Sequence, residues 1–187
     1  PAEEVSFIGK SNSFVYQDCK GGENIWRKHH TSSITRDIWK YEDGKHVKLT
    51  DFKGEDRCPR VSADGKTIFF MSERNGSFNI YSFPISDPSK VNQITKHKNH
   101  PVRFLTISQD GTICYGYDGD IYVGNPSGNA KKLSVSITSD KGDTDLTTLS
   151  VSGGGDNDLS RDGKQIAFIS RGEVFVASTD YKTVKQI

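Results

Sequence analysis

The tetrapeptide Ser-x-Asp-Gly occurs three times in a chain of 187 residues, at Ser62-Ala63-Asp64-Gly65, Ser108-Gln109-Asp110-Gly111 and Ser160-Arg161-Asp162-Gly163, with starts 46 and 52 residues apart. Asp-Gly is a tight-hairpin signal, because both central residues of a type I′ turn need positive φ. Each copy leads into a short apolar run: Thr67-Ile68-Phe69-Phe70-Met71, Thr112-Ile113-Cys114-Tyr115 and Gln165-Ile166-Ala167-Phe168-Ile169. Such runs predict strands buried on both faces. Self-similarity at this period constrains the fold more than any single motif, since it marks a repeat architecture.

Two further words recur in the same order. An acidic or amide residue, an Ile or Val and an aromatic follow as Asp37-Ile38-Trp39, Asn79-Ile80-Tyr81, Asp120-Ile121-Tyr122 and Glu173-Val174-Phe175. A basic or amide residue, an aliphatic and a hydroxyl then close the unit at Lys48-Leu49-Thr50, Gln93-Ile94-Thr95 and Lys132-Leu133-Ser134. In the most degenerate first unit, Gly9-Lys10-Ser11-Asn12 takes the place of the turn before the strand Ser13 to Tyr16. Each unit thus predicts four antiparallel strands every 40 to 50 residues, the plan of a β-propeller blade, which buries both faces only when neighbouring blades stack on it. A β-sandwich would leave three aligned words in fixed order unexplained.

The expectation is an all-β chain of about four four-stranded blades, either a partial propeller or a junction between two. Three blades fall at about 1–50, 51–95 and 96–137, and a fourth at 156–187 is truncated at its last strand, where Lys185-Gln186-Ile187 stops short of a Thr. The aromatic of the second word steps by 42, 41 and 53 residues. About ten residues are therefore inserted within 138–155, around Thr138 to Asp145 and the run Gly153-Gly154-Gly155. The insertion is a long connection between blades or the point where one propeller passes into another.

Composition narrows the function. Ile and Val number 27 against 12 for Leu, Ala and Met together, which favours strand formers over helix formers. Lys and Arg number 25 against 24 Asp and Glu, so neither nucleic acid nor an anionic membrane is an expected partner. The longest charge-free stretch, Asn75 to Ser86, has 12 residues, short of the roughly 18–20 that a membrane span needs. Cys19, Cys58 and Cys114 form no Cys-x-x-Cys pair, so neither a disulfide framework nor a zinc site is indicated. The start Pro1-Ala2-Glu3-Glu4 has no basic or apolar leader, so any targeting signal is expected to have been removed or to lie outside this sequence.

Particular residues then suggest a family. A fourth-strand Leu-Thr, a Pro shortly before Ser-x-Asp-Gly, Ser72 to Gly76 and Asn79-Ile80-Tyr81 resemble the WD-like repeats shared by TolB and the tricorn-type proteases. Trp26-Arg27-Lys28-His29-His30 leading into Thr35-Arg36-Asp37-Ile38-Trp39 resembles the first propeller of tricorn. The resemblance implies propellers set in front of a separate serine peptidase region, itself absent here, and peptides or unfolded polypeptide as partners, together with the remaining blades and protease region of a parent protein. It favours the junction reading of 138–155 and, from bacterial relatives, an extracytoplasmic (periplasmic) site, with the cytoplasm as the alternative. A TolB-like interaction scaffold is the second reading, and the propeller of a prolyl-oligopeptidase-like enzyme the third.

Independent chemistry is not expected in this chain. No Gly-x-Ser-x-Gly elbow occurs. Gly65-Lys66-Thr67 resembles the end of a phosphate loop, but Arg60 stands where the first glycine is needed. Asp158-x-Ser160-x-Asp162-Gly163 mimics a calcium loop whose twelfth position, Ile169, offers no carboxylate. Adjacent His29 and His30 point to opposite faces of a strand and cannot share a metal. His97 and His100 are expected in a solvated loop with no acidic partner nearby, and the carboxylates mostly in turns. No cofactor, metal or catalytic residue is therefore assigned. Candidate peptide-binding residues are Trp26, Arg27, Arg60 and Arg103, near channel-facing first strands, where arginine can clamp a terminal carboxylate. Open blade edges are expected to favour self-association.

Overall fold

The computed structural model describes residues 1–22, 24, 26–138 and 155–187. It divides into two compact units, Pro1–Ser136 and Ile137–Ile187. The first holds three sheets. Blade 1 comprises β1 (Ala2–Phe7), β2 (Phe14–Asp18), β3 (Ile38–Glu42) and β4 (Lys45–Lys48). Blade 2 comprises β5 (Asp56–Val61), β6 (Thr67–Ser72), β7 (Asn79–Pro84) and β8 (Asn92–Gln93). Blade 3 comprises β9 (Arg103–Ile107), β10 (Ile113–Tyr117), β11 (Asp120–Gly124) and β12 (Lys131–Lys132). The second unit carries blade 4: β13 (Gly155–Leu159), β14 (Gln165–Ser170), β15 (Glu173–Ser178) and β16 (Val184–Gln186). All four sheets are antiparallel meanders in chain order, and no helix occurs among the described residues. Most of the insertion, residues 139–154, lies outside the described residues.

The repeated words have distinct structural jobs. The hydroxyl that closes a unit returns to the third strand: Thr50 Oγ1 accepts from Ile38 N at 3.0 Å, and Thr95 Oγ1 accepts from Ile80 N at 2.9 Å. In Ser-x-Asp-Gly, Gly65 N donates to Ser62 O at 2.9 Å and Ser62 N to Thr67 O at 2.8 Å, closing a four-residue turn. Only its glycine has positive φ, as at Gly65 (70°), Gly111 (85°) and Gly163 (70°). The type I′ expectation therefore fails at these sites. Two consecutive positive-φ residues occur instead at Asp43-Gly44 (48° and 77°), Asp118-Gly119 (52° and 77°) and Arg171-Gly172 (55° and 84°), each a two-residue hairpin turn. The acidic residue of Ser-x-Asp-Gly works through its side chain: Asp64 Oδ1 accepts from Ser62 Oγ at 2.6 Å and Lys66 N at 3.0 Å.

Blade 2 is covered on both faces. The period-two alternation of β6 sends Ile68 and Phe70 to one side and Phe69 and Met71 to the other. The first pair, with Tyr81 and Phe83, packs against Val15 and Ile38 of blade 1. The second, with Phe78 and Ile80, packs against Val102, Leu105, Ile113 and Tyr115 of blade 3. The apolar run after Ser-x-Asp-Gly is buried on both faces here, whereas β10 and β14 are only partly buried. First strands of successive blades lie side by side, β1 against β5 and β5 against β9.

Candidate functional site

A cleft of about 350 Å³ opens where those first strands meet. Its lining includes Glu4 of β1, Arg57, Cys58 and Arg60 of β5, and Arg103, Phe104 and Leu105 of β9, with Trp26 arriving from the connection between β2 and β3. The wall is built by a recurring irregularity. The ladder slips between Glu3 and Ser6 in β1 and between Arg57 and Arg60 in β5, and the pairing of β9 slips opposite Cys114 to Gly116. At each slip one non-glycine residue is left-handed: Glu4 at φ 53°, Cys58 at 54° and Phe104 at 57°. A bulge turns an extra residue out of the ladder, and the left-handed conformation costs an L-residue about 1–2 kcal/mol. Three successive blades hold that conformation at the same place, and all three residues line the cleft.

Side chains seal the bulges. Cys58 N donates to Gln17 Oε1 at 2.8 Å and Val61 N to Ser6 Oγ at 3.0 Å, so blade 1 satisfies backbone groups of β5. Glu4 Oε2 accepts from Arg60 Nη2 at 2.6 Å. Cys58 Sγ lies 3.6 Å from Leu105 O, and burial pushes its thiol up to about 11. A thiol so rarely ionised is no nucleophile.

The remaining wall combines rings and guanidinium groups. Arg103 lies over Trp26 at 5.5 Å and over Phe78 at 5.2 Å, and Arg57 lies over Phe78 at 5.5 Å. Burial first, and then the neighbouring Arg57 charge, hold Arg103 below the usual arginine range, with Glu73 opposing. Arg57 Nε donates to Glu55 Oε2 at 2.8 Å. Arg103 Nη2 donates to Trp26 O at 3.3 Å, and Trp26 meets Phe104 edge-on at 6.1 Å between centroids. A depression that sets aromatic rings beside guanidinium groups can take an anionic group carried beside an apolar one.

Of the four candidate residues, Trp26, Arg60 and Arg103 line this cleft, while Arg27 sits on the exposed connection outside its lining. Sequence reasoning missed the charges beneath. Arg36, Glu55, Asp56, Arg57 and Glu73 are all at most 5 % exposed, not turn carboxylates in water. Asp56 accepts two bonds from Arg74 Nη2, at 3.1 and 3.0 Å. The signal was present in Glu55-Asp56-Arg57 and Glu73-Arg74, opposite charges packed against predicted strand ends. The histidine expectation is also corrected. His97 stacks on Tyr117 at 3.7 Å and bonds Tyr115 Oη at 3.0 Å, and burial lowers its pKa; His100 Nε2 lies 3.4 Å from Asp118 Oδ1. The aromatic side chains of β10 draw His97 partly out of solvent, while His100 stays exposed beside Asp118. His29, by its backbone N, donates to the buried Glu73 Oε2 at 2.6 Å.

Among solved structures, the chain is similar to the tricorn protease, with a TM-score of 0.62 and 22 % identity over 100 % of this chain and 18 % of that one. The fold is a β-propeller fold of the tricorn and TolB type. TolB from Agrobacterium tumefaciens gives a TM-score of 0.58 and 20 % identity over 71 % of this chain and 48 % of its own. TolB from Acinetobacter baumannii gives 0.55 and 20 % over 100 % of this chain and 43 % of its own. The chain thus spans less than half the length of each of these propeller proteins. No family model matches it, and no curated protein sequence does. Among the described residues, no helix is long and apolar enough to cross a membrane.

Proposed function

We propose that the three blades of Pro1–Ser136 are a non-catalytic peptide-binding module of a tricorn-like serine peptidase, holding unfolded polypeptide on its way to or from a catalytic region elsewhere in the parent protein. The observation that carries this reading is the convergence of Arg57, Arg103, Trp26 and Phe104 on one cleft between first strands. A carboxylate takes the guanidinium side, where charge-assisted bonds are strongest, and the chain behind it runs over the rings. The setting we propose is extracytoplasmic, and further blades of the same repeat are the natural neighbours of the exposed blade edges, with self-association as the outcome when those neighbours are missing.

Isothermal calorimetry with unstructured decapeptides tests the proposal. The free-acid form is expected to bind at least about tenfold more tightly than the C-terminal amide, the loss of one charge-assisted contact. Absence of binding by either form overturns the reading. The second reading, a TolB-like scaffold for folded partners, draws on likeness to a TolB propeller over the whole chain; it gains if peptides fail while a single partner copurifies at fixed stoichiometry.

A further inference from the structure

The left-handed slot of each bulge holds a different side chain in each blade, and the surroundings differ in one telling respect. Glu4 is engaged by Arg60 at 2.6 Å, and Cys58 is buried at 7 % exposure with its thiol on Leu105 O. Phe104 is 68 % exposed. A phenyl ring so placed gains little from burial, and a bulky residue at positive φ is an outlier that needs a compensating contact. Its neighbours are Trp26, edge-on at the cleft, and Gly116, which borders an adjoining depression and where an added Cβ would come within 3.1 Å of the Phe104 ring. The glycine opposite thus leaves room for the ring to lie flat on the sheet, and Trp26, itself 57 % exposed, stands beside it.

Resting on the peptide-binding reading above, we infer that Phe104 and Trp26 form a specificity clamp for one large apolar or aromatic side chain of the bound polypeptide, the residue next to the carboxylate held on the arginine side. Size supports this occupant. An apolar cavity of about 150 Å³ accepts a benzene ring, so a cleft of about 350 Å³ takes a ring with room for the main chain and carboxylate that carry it. Met71 and Leu105 supply an apolar floor, and the guanidinium groups of Arg57 and Arg103 line the same cleft. Without an occupant the two rings remain wet; with one, both lose their exposed faces to an apolar contact.

The test uses the full chain and pairs of peptides that differ only in the last residue, Phe or Ala, both with free carboxylates. Wild type is expected to prefer the Phe peptide by about tenfold or more, the scale of burying one such side chain. Phe104→Asn, which accepts positive φ, is expected to bring that preference to near parity while leaving the urea midpoint unchanged or raised. Phe104→Gly repeats the test with the strain fully relieved. Equal binding of both peptides by wild type overturns the clamp and leaves the peptide-binding reading standing. Binding of neither overturns both. An undiminished preference in Phe104→Asn, with Trp26→Ala also neutral, overturns the clamp as well.

Discussion

Blades 2 and 4 share a plan and differ in surroundings. Both close Ser-x-Asp-Gly with the same bonds, Ser62 N to Thr67 O and Ser160 N to Gln165 O at 2.8 Å each, and both pair their central strands over six residues without slippage. Yet five of the six residues of β6 are buried and only one of those of β14 is. Local words thus determine turn and register, while burial depends on what covers the sheet. Phe70 and Phe168 occupy the same repeat position, facing Tyr81 and Phe175 across the pair. Phe70→Ala is expected to cost about 3–5 kcal/mol as a buried cavity, and the half-buried Phe168→Ala about 1–2 kcal/mol. Both tryptophans, Trp26 and Trp39, lie in the first unit, so their fluorescence in urea reports the first change, and amide exchange in β14 reports the second. Equal costs would break the contrast.

Arg74 sharpens it. The guanidinium lies over Phe52, Phe70 and Tyr81 at 5.5, 5.2 and 5.2 Å and pairs with Asp56, whose side chain is 1 % exposed. Blade 2 therefore carries a buried charge that needs its partner. Arg74→Ala is expected to destabilise the first unit by about 3 kcal/mol, because the carboxylate is left uncompensated. A double variant, Asp56→Asn with Arg74→Ala, is expected to recover much of that loss, and denaturant melts of wild type, the two single variants and the double measure the coupling. Strictly additive costs would show that the two groups do not stabilise each other.

What the sequence disclosed follows the range of the interaction. Strand order and blade number were legible because each word acts within its own unit: Thr50 bonds Ile38 twelve residues away in the same sheet. The turn chemistry was half legible. Asp-Gly marked turns correctly, but the positive-φ pair sits at Asp43-Gly44 and Asp118-Gly119, because the Ser-x-Asp-Gly aspartate spends its carboxylate on Ser and amide bonds while keeping negative φ. The bulges at Glu4, Cys58 and Phe104 left no signal, since non-glycine residues occupy them and the partners that seal them come from neighbouring blades, as Gln17 does for Cys58 N. Glu55 and Glu73 resembled turn acids for the same reason: their cover comes from other strands. Trp26 and Arg103 stood out in the sequence only as candidates, and their meeting across 77 positions is a product of blade stacking.

The smallest expected effect tests the half of the contrast that should not depend on burial. Asp110 is held at about 2, against an ordinary 3.8, chiefly by the Ser108 hydroxyl and then by the Thr112 amide. Asp64 and Asp162 are lowered for the same reason, first by Ser62 and Ser160 and then by the amides of Lys66 and Lys164. A carboxylate whose pKa is lower in the folded state stabilises the fold above its unfolded pKa and loses that contribution as pH falls. The turns should therefore be fully supported above about pH 4 and weaken progressively toward pH 2, the window between the two values for Asp110. Carboxyl NMR titration is expected to show all three aspartates below their ordinary range, with Asp162 of the poorly covered blade 4 shifted in the same direction as Asp64 of the doubly covered blade 2. Ser108→Ala should move Asp110 back toward 3.8. A normal titration of Asp162 beside a depressed Asp64 would mean that packing, not the local bond pattern, orders these turns, and the division between local words and stacking would have to be redrawn.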